Sequence, residues 1–136
     1  MKDIQIRTAR EMNLFEFLIE KGFHIEEIDS NIFKVDRDGE IPVFINLSNN
    51  NIFFLVDLGS INDFASEELY FKLLDINTEI LPVSVGVDSS NKDDKRLVLV
   101  ESRETKNLDD NELLSVFDAL EIAADKIEIL LSTYLT

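Results

Sequence analysis

Apolar residues at helical spacing predict two helices in the first 80 residues. The first helix runs from about Thr8 to Lys21, because its opening residues read Thr-Ala-Arg-Glu, a capping box, and Gly22 can end it. The second helix begins near Asn62 or Asp63, either of which can cap it. Each helix has an apolar side, so each is expected to pack against the rest of the protein.

A third helix closes the chain and is the longest. Asp109 or Asp110 can cap its start. The apolar stripe along it, with alternating spacings of four and three residues, consists of Leu113, Phe117, Leu120, Ala124, Ile127, Leu131 and Tyr134. Ile122 and Ile129 lie off this stripe, which makes the apolar surface broad. Such a surface either simply crosses the sheet or leaves Ile122 and Ile129 as candidate contacts with a second subunit, and we expect a homodimer.

Five strands are predicted between the helices. Asp-Gly at 38–39 and the asparagines at 49–51 are turn residues that separate the first three strands. The strands are Ile28–Asp36, Ile41–Leu47, Ile52–Leu58, Leu81–Val87 and Leu97–Ser102. The order α-β-β-β-α-β-β-α predicts an α+β fold in one domain over residues 1–136. Its sheet is five-stranded and mainly antiparallel, with the helices packed on one face.

The third predicted strand is apolar on both of its faces. If Ile52, Phe54 and their neighbours cover the helices, Phe53 and Leu55 point the other way. Phe33 and Phe44 each interrupt the polar half of their own strand and are expected to join them. Phe33, Phe44, Phe53 and Leu55 are therefore candidate protein-binding residues. A helix or loop could instead cover this second face, and a subunit interface or a peptide groove are the other interpretations.

The net charge of the chain limits the kinds of partner that it is expected to bind. The chain has 28 acidic against 13 basic side chains, a net charge of −15. Phosphate backbones and anionic lipid surfaces would repel such a protein, so neither nucleic acid binding nor direct membrane insertion is expected. The acidity either serves solubility alone or favours a basic or aggregation-prone protein partner.

The sequence contains no cysteine and no recognisable targeting signal. The chain has no cysteine, which fits a reducing compartment, and its N-terminal residues lack the pattern of a signal peptide. No apolar run approaches the roughly 18 residues needed to span a bilayer. A soluble, cytoplasmic protein is the expectation.

No catalytic, cofactor-binding or metal-binding residues are predicted. His24 is the only histidine, so one chain cannot form a site with two histidines. Asp36-Arg37-Asp38-Gly39 resembles part of a calcium loop, but Lys34 would occupy the first ligand position, and a hairpin turn is favoured. The polar segment at 88–96 contains three aspartates, with two lysines and an arginine among them, which leaves only a weak cation site as an alternative to a solvated turn.

Several short strings carry a family resemblance. They are Leu73-Leu74-Asp75-Ile76-Asn77, IPVFINLSNNNIFFLVDLGSI from residue 41, LPVSVGV from residue 81 and ALEIAADKIEIL from residue 119. With the element order, they resemble the type III secretion chaperone-like fold and, more narrowly, the uncharacterised bacterial YjfI-type family. That resemblance implies a cytoplasmic, dimeric protein that binds other proteins. The narrower family is associated with membrane-stress proteins of the PspA type. The chain lacks the Gly-rich stretch that many secretion chaperones have before the fourth strand.

The sequence therefore favours a non-catalytic protein-binding module that holds an apolar segment of a partner in bacterial envelope stress or secretion. Two alternatives remain open at this point. One is a small enzyme or ligand-binding protein of unrecognised type, and the other is a structural subunit of an assembly.

Overall fold

Two sheets and three helices make up the fold that the computed structural model describes for residues 4–7 and 12–134. The strands are β1 Gln5–Ile6, β2 Met12–Asn13, β3 His24–Asp29, β4 Ile32–Asp36, β5 Val43–Ser48, β6 Asn51–Ser60, β7 Ser84–Asp88 and β8 Arg96–Glu104. The helices are α1 Leu14–Glu20, α2 Glu67–Ile76 and α3 Asp110–Ser132, and a 3₁₀ turn, Asn77–Glu79, follows α2. β1 and β2 pair with each other, and the larger sheet has the order β3-β4-β5-β6-β8-β7.

The α+β class with an antiparallel sheet is confirmed, but the sheet has six strands where five were predicted. The predicted strand Ile28–Asp36 is in fact a hairpin. Its turn contains Asn31 in the left-handed region, at a φ of 62°. The Asp29 carboxylate accepts a hydrogen bond from the Ser30 amide at 2.8 Å, which is the local chemistry by which Asp and Asn favour turns.

The first helix begins later than predicted. α1 starts at Leu14, and the Asn13 side chain caps it by accepting a hydrogen bond from the Phe15 amide at 2.9 Å. Met12 and Asn13 belong to β2 and not to a helix. The predicted capping box at Thr8–Glu11 lies outside the described residues.

The second helix also begins later, whereas the start of the third is as predicted. Ser66, not Asn62 or Asp63, caps α2 by accepting a hydrogen bond from the Leu69 amide at 3.1 Å. In α3 the Asp109 carboxylate accepts a hydrogen bond from the Glu112 amide at 2.8 Å. Six of the seven residues in the predicted α3 stripe are buried, Leu113 to Leu131, which confirms the apolar side of this helix.

The chain divides into two compact units. Among the described residues, the first combines 4–7 and 12–55 with 101–117, and the second combines 56–100 with 118–134. In the first unit, the ring of Phe117 lies 4.6 Å from that of Phe23 and 5.8 Å from that of Phe54, centroid to centroid. The core of the second unit contains Leu69, Leu73, Val83, Leu97, Leu99 and Leu120. The prediction of a single domain stays a prediction.

Candidate protein-binding surfaces

One face of the sheet in the first unit carries apolar side chains that remain at least partly exposed to water. Its residues come from three neighbouring antiparallel strands and are linked by register. Phe44 lies between Lys34 and Leu55, and Asn46 lies between Ile32 and Phe53. We call these six residues the open face: Ile32, Lys34, Phe44, Asn46, Phe53 and Leu55. All six are exposed or half-buried.

Alternation along the strands explains why these residues share a face. Val43, Ile45 and Leu47 of β5 are buried, so the residues between them must point to the other side of the sheet. The two-residue turn from β5 to β6 sets the register. Asn49 and Asn50 both have positive φ, 47° and 65°, which matches the type I′ hairpin turn.

Phe44, Phe53 and Leu55 are brought together as predicted, but Phe33 is not with them. The face assignment of Phe33 was wrong, because its side chain is only 4% exposed and its ring lies 4.7 Å from that of Phe15 in α1. Ile32 takes its place on the open face, and sequence reasoning missed it. The missed turn at Asn31 is the cause, since a new strand starts there with its own alternation.

An acidic edge borders the open face. Glu26 of the edge strand β3 lies opposite Lys34, and Asp36 follows Lys34 on the same side of β4. Between residues 24 and 40 there are six acidic and two basic side chains. One of the two cations, Arg37, lies 5.0 Å from the ring centre of Phe23, a buried residue. The sheet in this unit is therefore apolar toward β6 and acidic toward β3.

A smaller apolar groove lies in the second unit between α2 and the strand pair β7–β8. Its lining consists of Tyr70, Leu73, Leu74, Val85, Gly86, Val87 and Leu97. Phe71 of α2 is not part of this lining and is 71% exposed. Sequence reasoning identified the apolar side of α2 but did not predict the groove, since the groove depends on how α2 meets β7.

The Asn77 side chain covers part of the edge of β7. Its carboxamide oxygen accepts a hydrogen bond from the Val85 amide at 2.7 Å, and its carboxamide nitrogen donates one to the Val85 carbonyl at 3.4 Å. A side-chain amide thus satisfies both backbone groups of Val85, as a neighbouring strand would. This contact reduces the tendency of the edge to pair with other chains.

The two candidate dimer contacts lie on one exposed side of α3. Ile122 is 59% exposed and Ile129 is 72% exposed. They are separated by seven residues, about two helical turns, so they face the same direction. Water-exposed isoleucines in this arrangement are available to a further chain.

The polar segment between β7 and β8 forms internal contacts. Arg96 forms ion pairs with Asp57 at 3.2 Å and with Asp94 at 3.1 Å. The pKa of Asp88 is lowered because its carboxylate accepts a hydrogen bond from the Ser90 amide at 3.0 Å. Within residues 4–7 and 12–134, no group of three or more acidic or histidine side chains is placed to hold a metal ion.

Glu101 in β8 is a carboxylate that the fold removes from water. Its side chain is 2% exposed and forms an ion pair with the Arg103 guanidinium. Burial raises the pKa of Glu101, and the nearby Arg103 opposes this effect in part. In the alternation of β8, Glu101 lies on the same side as the buried residues Leu97 and Leu99, so we treat it as a structural group.

In the part of the chain that the structure describes, no helix is both long enough and apolar enough to cross a bilayer.

Comparison with known proteins identifies the family and supports the fold. Residues 8–135 match the family model CesT_Tir_1. A chain from the structure of the heterodimeric complex ExoU–SpcU, from the type III secretion system of Pseudomonas aeruginosa, is similar with a TM-score of 0.67 at 17% identity, over 83% of this chain and 93% of that chain. The structure of YbjN from E. coli, a putative transcription regulator by its description, is similar with a TM-score of 0.64 at 20% identity, over 89% of each chain.

A search of curated protein sequences gave no significant match. At these identities the two structural similarities show a shared fold and nothing more specific. The family match and the fold confirm the secretion-chaperone-like resemblance, whereas the narrower YjfI-type resemblance stays a prediction.

Proposed function

Because the chain belongs to the CesT_Tir_1 family, we propose that it is a non-catalytic protein-binding module that holds an apolar segment of a partner protein on the open face. The observation that carries this proposal is that Phe44, Phe53 and Leu55 lie next to one another on that face, in the cross-strand rows formed by β4, β5 and β6. Phe53 is 45% exposed, so covering it would remove apolar area from water. Burial of such area is the main favourable term in protein association.

Charge supports a protein partner over nucleic acid. The net charge of −15 opposes contact with phosphates and disfavours nonspecific association of the apolar face. One of the similar structures is described as a heterodimeric complex from a secretion system, which is consistent with partner binding by this fold. We further propose that this binding takes place in the cytoplasm and serves secretion or the response to envelope stress.

Affinity capture from a native lysate tests the open face. We compare the tagged wild-type chain with Phe53→Asp, which places a charge in the centre of the face. A stoichiometric partner should be captured by the wild type and lost with Phe53→Asp, because the charge would have to be buried against an apolar segment. Mass spectrometry identifies the captured protein.

The matched control is Phe71→Asp, the same change at an exposed position of α2 in the second unit. It should retain the partner. Circular dichroism and thermal unfolding show whether each variant is folded. Retention of the partner by Phe53→Asp would contradict the proposal, and global unfolding of that variant would show that Phe53 is a core residue.

A homodimer through α3 is a further part of the proposal, supported by the exposed pair Ile122 and Ile129. The double change Ile122→Asp/Ile129→Asp should convert a dimer to a monomer in light scattering coupled to size exclusion. Ile19→Asp, at an exposed isoleucine of α1, is the control and should leave the mass unchanged. A dimer that survives the double change would place the interface elsewhere.

A further inference from the structure

The open face changes from apolar to acidic across neighbouring strands. One cross-strand row runs from Leu55 on β6 through Phe44 on β5 and Lys34 on β4 to Glu26 on β3. Adjacent strands are about 4.8 Å apart, so this row is about 14 Å long. A bound segment would span this row with about ten residues as a helix or about four as an extended strand.

Acidic side chains outnumber cations at the β3 end of the row, six to two between residues 24 and 40. Lys34 lies directly opposite Glu26, and Asp36 lies two residues after Lys34 on the same side of β4. The Arg37 guanidinium lies 5.0 Å from the ring centre of Phe23. The acidic excess at this edge is therefore presented to solvent next to the apolar part of the open face.

We propose that the open face binds a cationic amphipathic segment of another protein, laid across the strands with its apolar part over Phe44 and Leu55 and its Lys or Arg side chains at Glu26 and Asp36. This inference rests on the proposed function and adds the chemistry of the partner. A segment that covers the row removes water from Glu26 and Asp36. Lys34 is a single cation beside these two carboxylates, so cations supplied by the segment offset the remaining loss. An acidic segment would meet like charges at the same place.

Three labelled synthetic peptides test the charge requirement by fluorescence anisotropy. Each has an apolar block of Leu, Phe and Val followed by a block of lysines, serines or glutamates. For the wild-type chain we expect the lysine peptide to bind about tenfold more tightly than the serine peptide, as two close exposed ion pairs would give. The glutamate peptide should bind more weakly than either, and added salt should reduce the differences.

Charge reversal at the proposed contacts should remove this preference. In Glu26→Lys/Asp36→Lys the lysine peptide should lose its advantage over the serine peptide. The control Asp63→Lys/Asp93→Lys makes the same change in net charge at exposed positions of the second unit and should keep the advantage. If Glu26→Lys/Asp36→Lys is not folded by circular dichroism, Glu26→Gln/Asp36→Asn replaces it and should reduce the advantage.

The outcomes separate this inference from the proposed function. If Phe53→Asp weakens all three peptides but charge reversal leaves the lysine preference unchanged, the inference is overturned while the apolar site stands. An equal loss in the control variant would assign the attraction to overall charge and would also overturn it. If Phe53→Asp affects no peptide, or if no peptide binds the wild type, the proposed site itself fails and this inference with it.

Discussion

Phe33 and Phe44 occupy neighbouring strands of the same sheet but opposite faces of it. Phe33 is buried and its ring packs against Phe15, whereas Phe44 is half-buried on the open face beside Leu55. Both looked alike in the sequence, where each interrupts a polar run. The difference shows that an aromatic residue in a strand indicates function only once the alternation of that strand is known.

The two faces should respond differently to the loss of a ring. Phe33→Ala removes a fully packed side chain and leaves a cavity, so we expect the free energy of unfolding to fall by about 3–5 kcal/mol. Phe44→Ala removes a side chain that water already reaches in part, so the loss should be about 1 kcal/mol or less. Urea unfolding of the two variants, followed by circular dichroism, measures both values.

Partner binding should show the reverse order. Phe44→Ala is expected to weaken the capture of the partner, while Phe33→Ala should retain it under conditions in which the variant is still folded. Equal losses of stability for the two variants would mean that Phe44 is as well packed as Phe33, and the distinction between the faces would then be lost.

The sequence predicted those parts of the fold that have strong local signals and missed those that do not. The alternation in β5 and the Asn49–Asn50 turn are strong patterns, and both predicted the observed elements. The turn at Ser30–Asn31 was missed because Asp-Ser-Asn lies between the apolar residues Ile28 and Ile32 and lacks a glycine. That one omission accounts for the sixth strand and for the face assignment of Phe33, because each strand after a turn starts its own alternation.

The candidate surface was predicted in part for the same reason. Phe53 and Leu55 stand out because β6 is apolar on both faces, which a sheet covered on one side does not require. The acidic edge at Glu26 and Asp36 could not be predicted, since it depends on β3 pairing with β4 in a register that no short pattern specifies. The groove beside β7 was missed because it requires the position of α2.

The buried carboxylate of Glu101 provides a further test of the difference between the buried and open faces, with a smaller expected effect. Burial raises the pKa of Glu101 above its ordinary value of 4.5. The folded state therefore holds the Glu101 proton more tightly than the unfolded state does. The resulting contribution to stability is complete below pH 4.5 and is lost as the pH rises through the raised pKa of the folded state.

Glu101→Gln removes this titration while keeping the shape of the side chain. Relative to the wild type, the variant should gain stability as the pH rises from 4.5 toward 7, because only the wild type then carries a buried charge. Urea midpoints of the wild type and of the variant, measured at several pH values, give the difference. A difference that moves in the opposite direction would mean that the ion pair with Arg103 outweighs the cost of burying the carboxylate, and the buried face would then tolerate charge as the open face does.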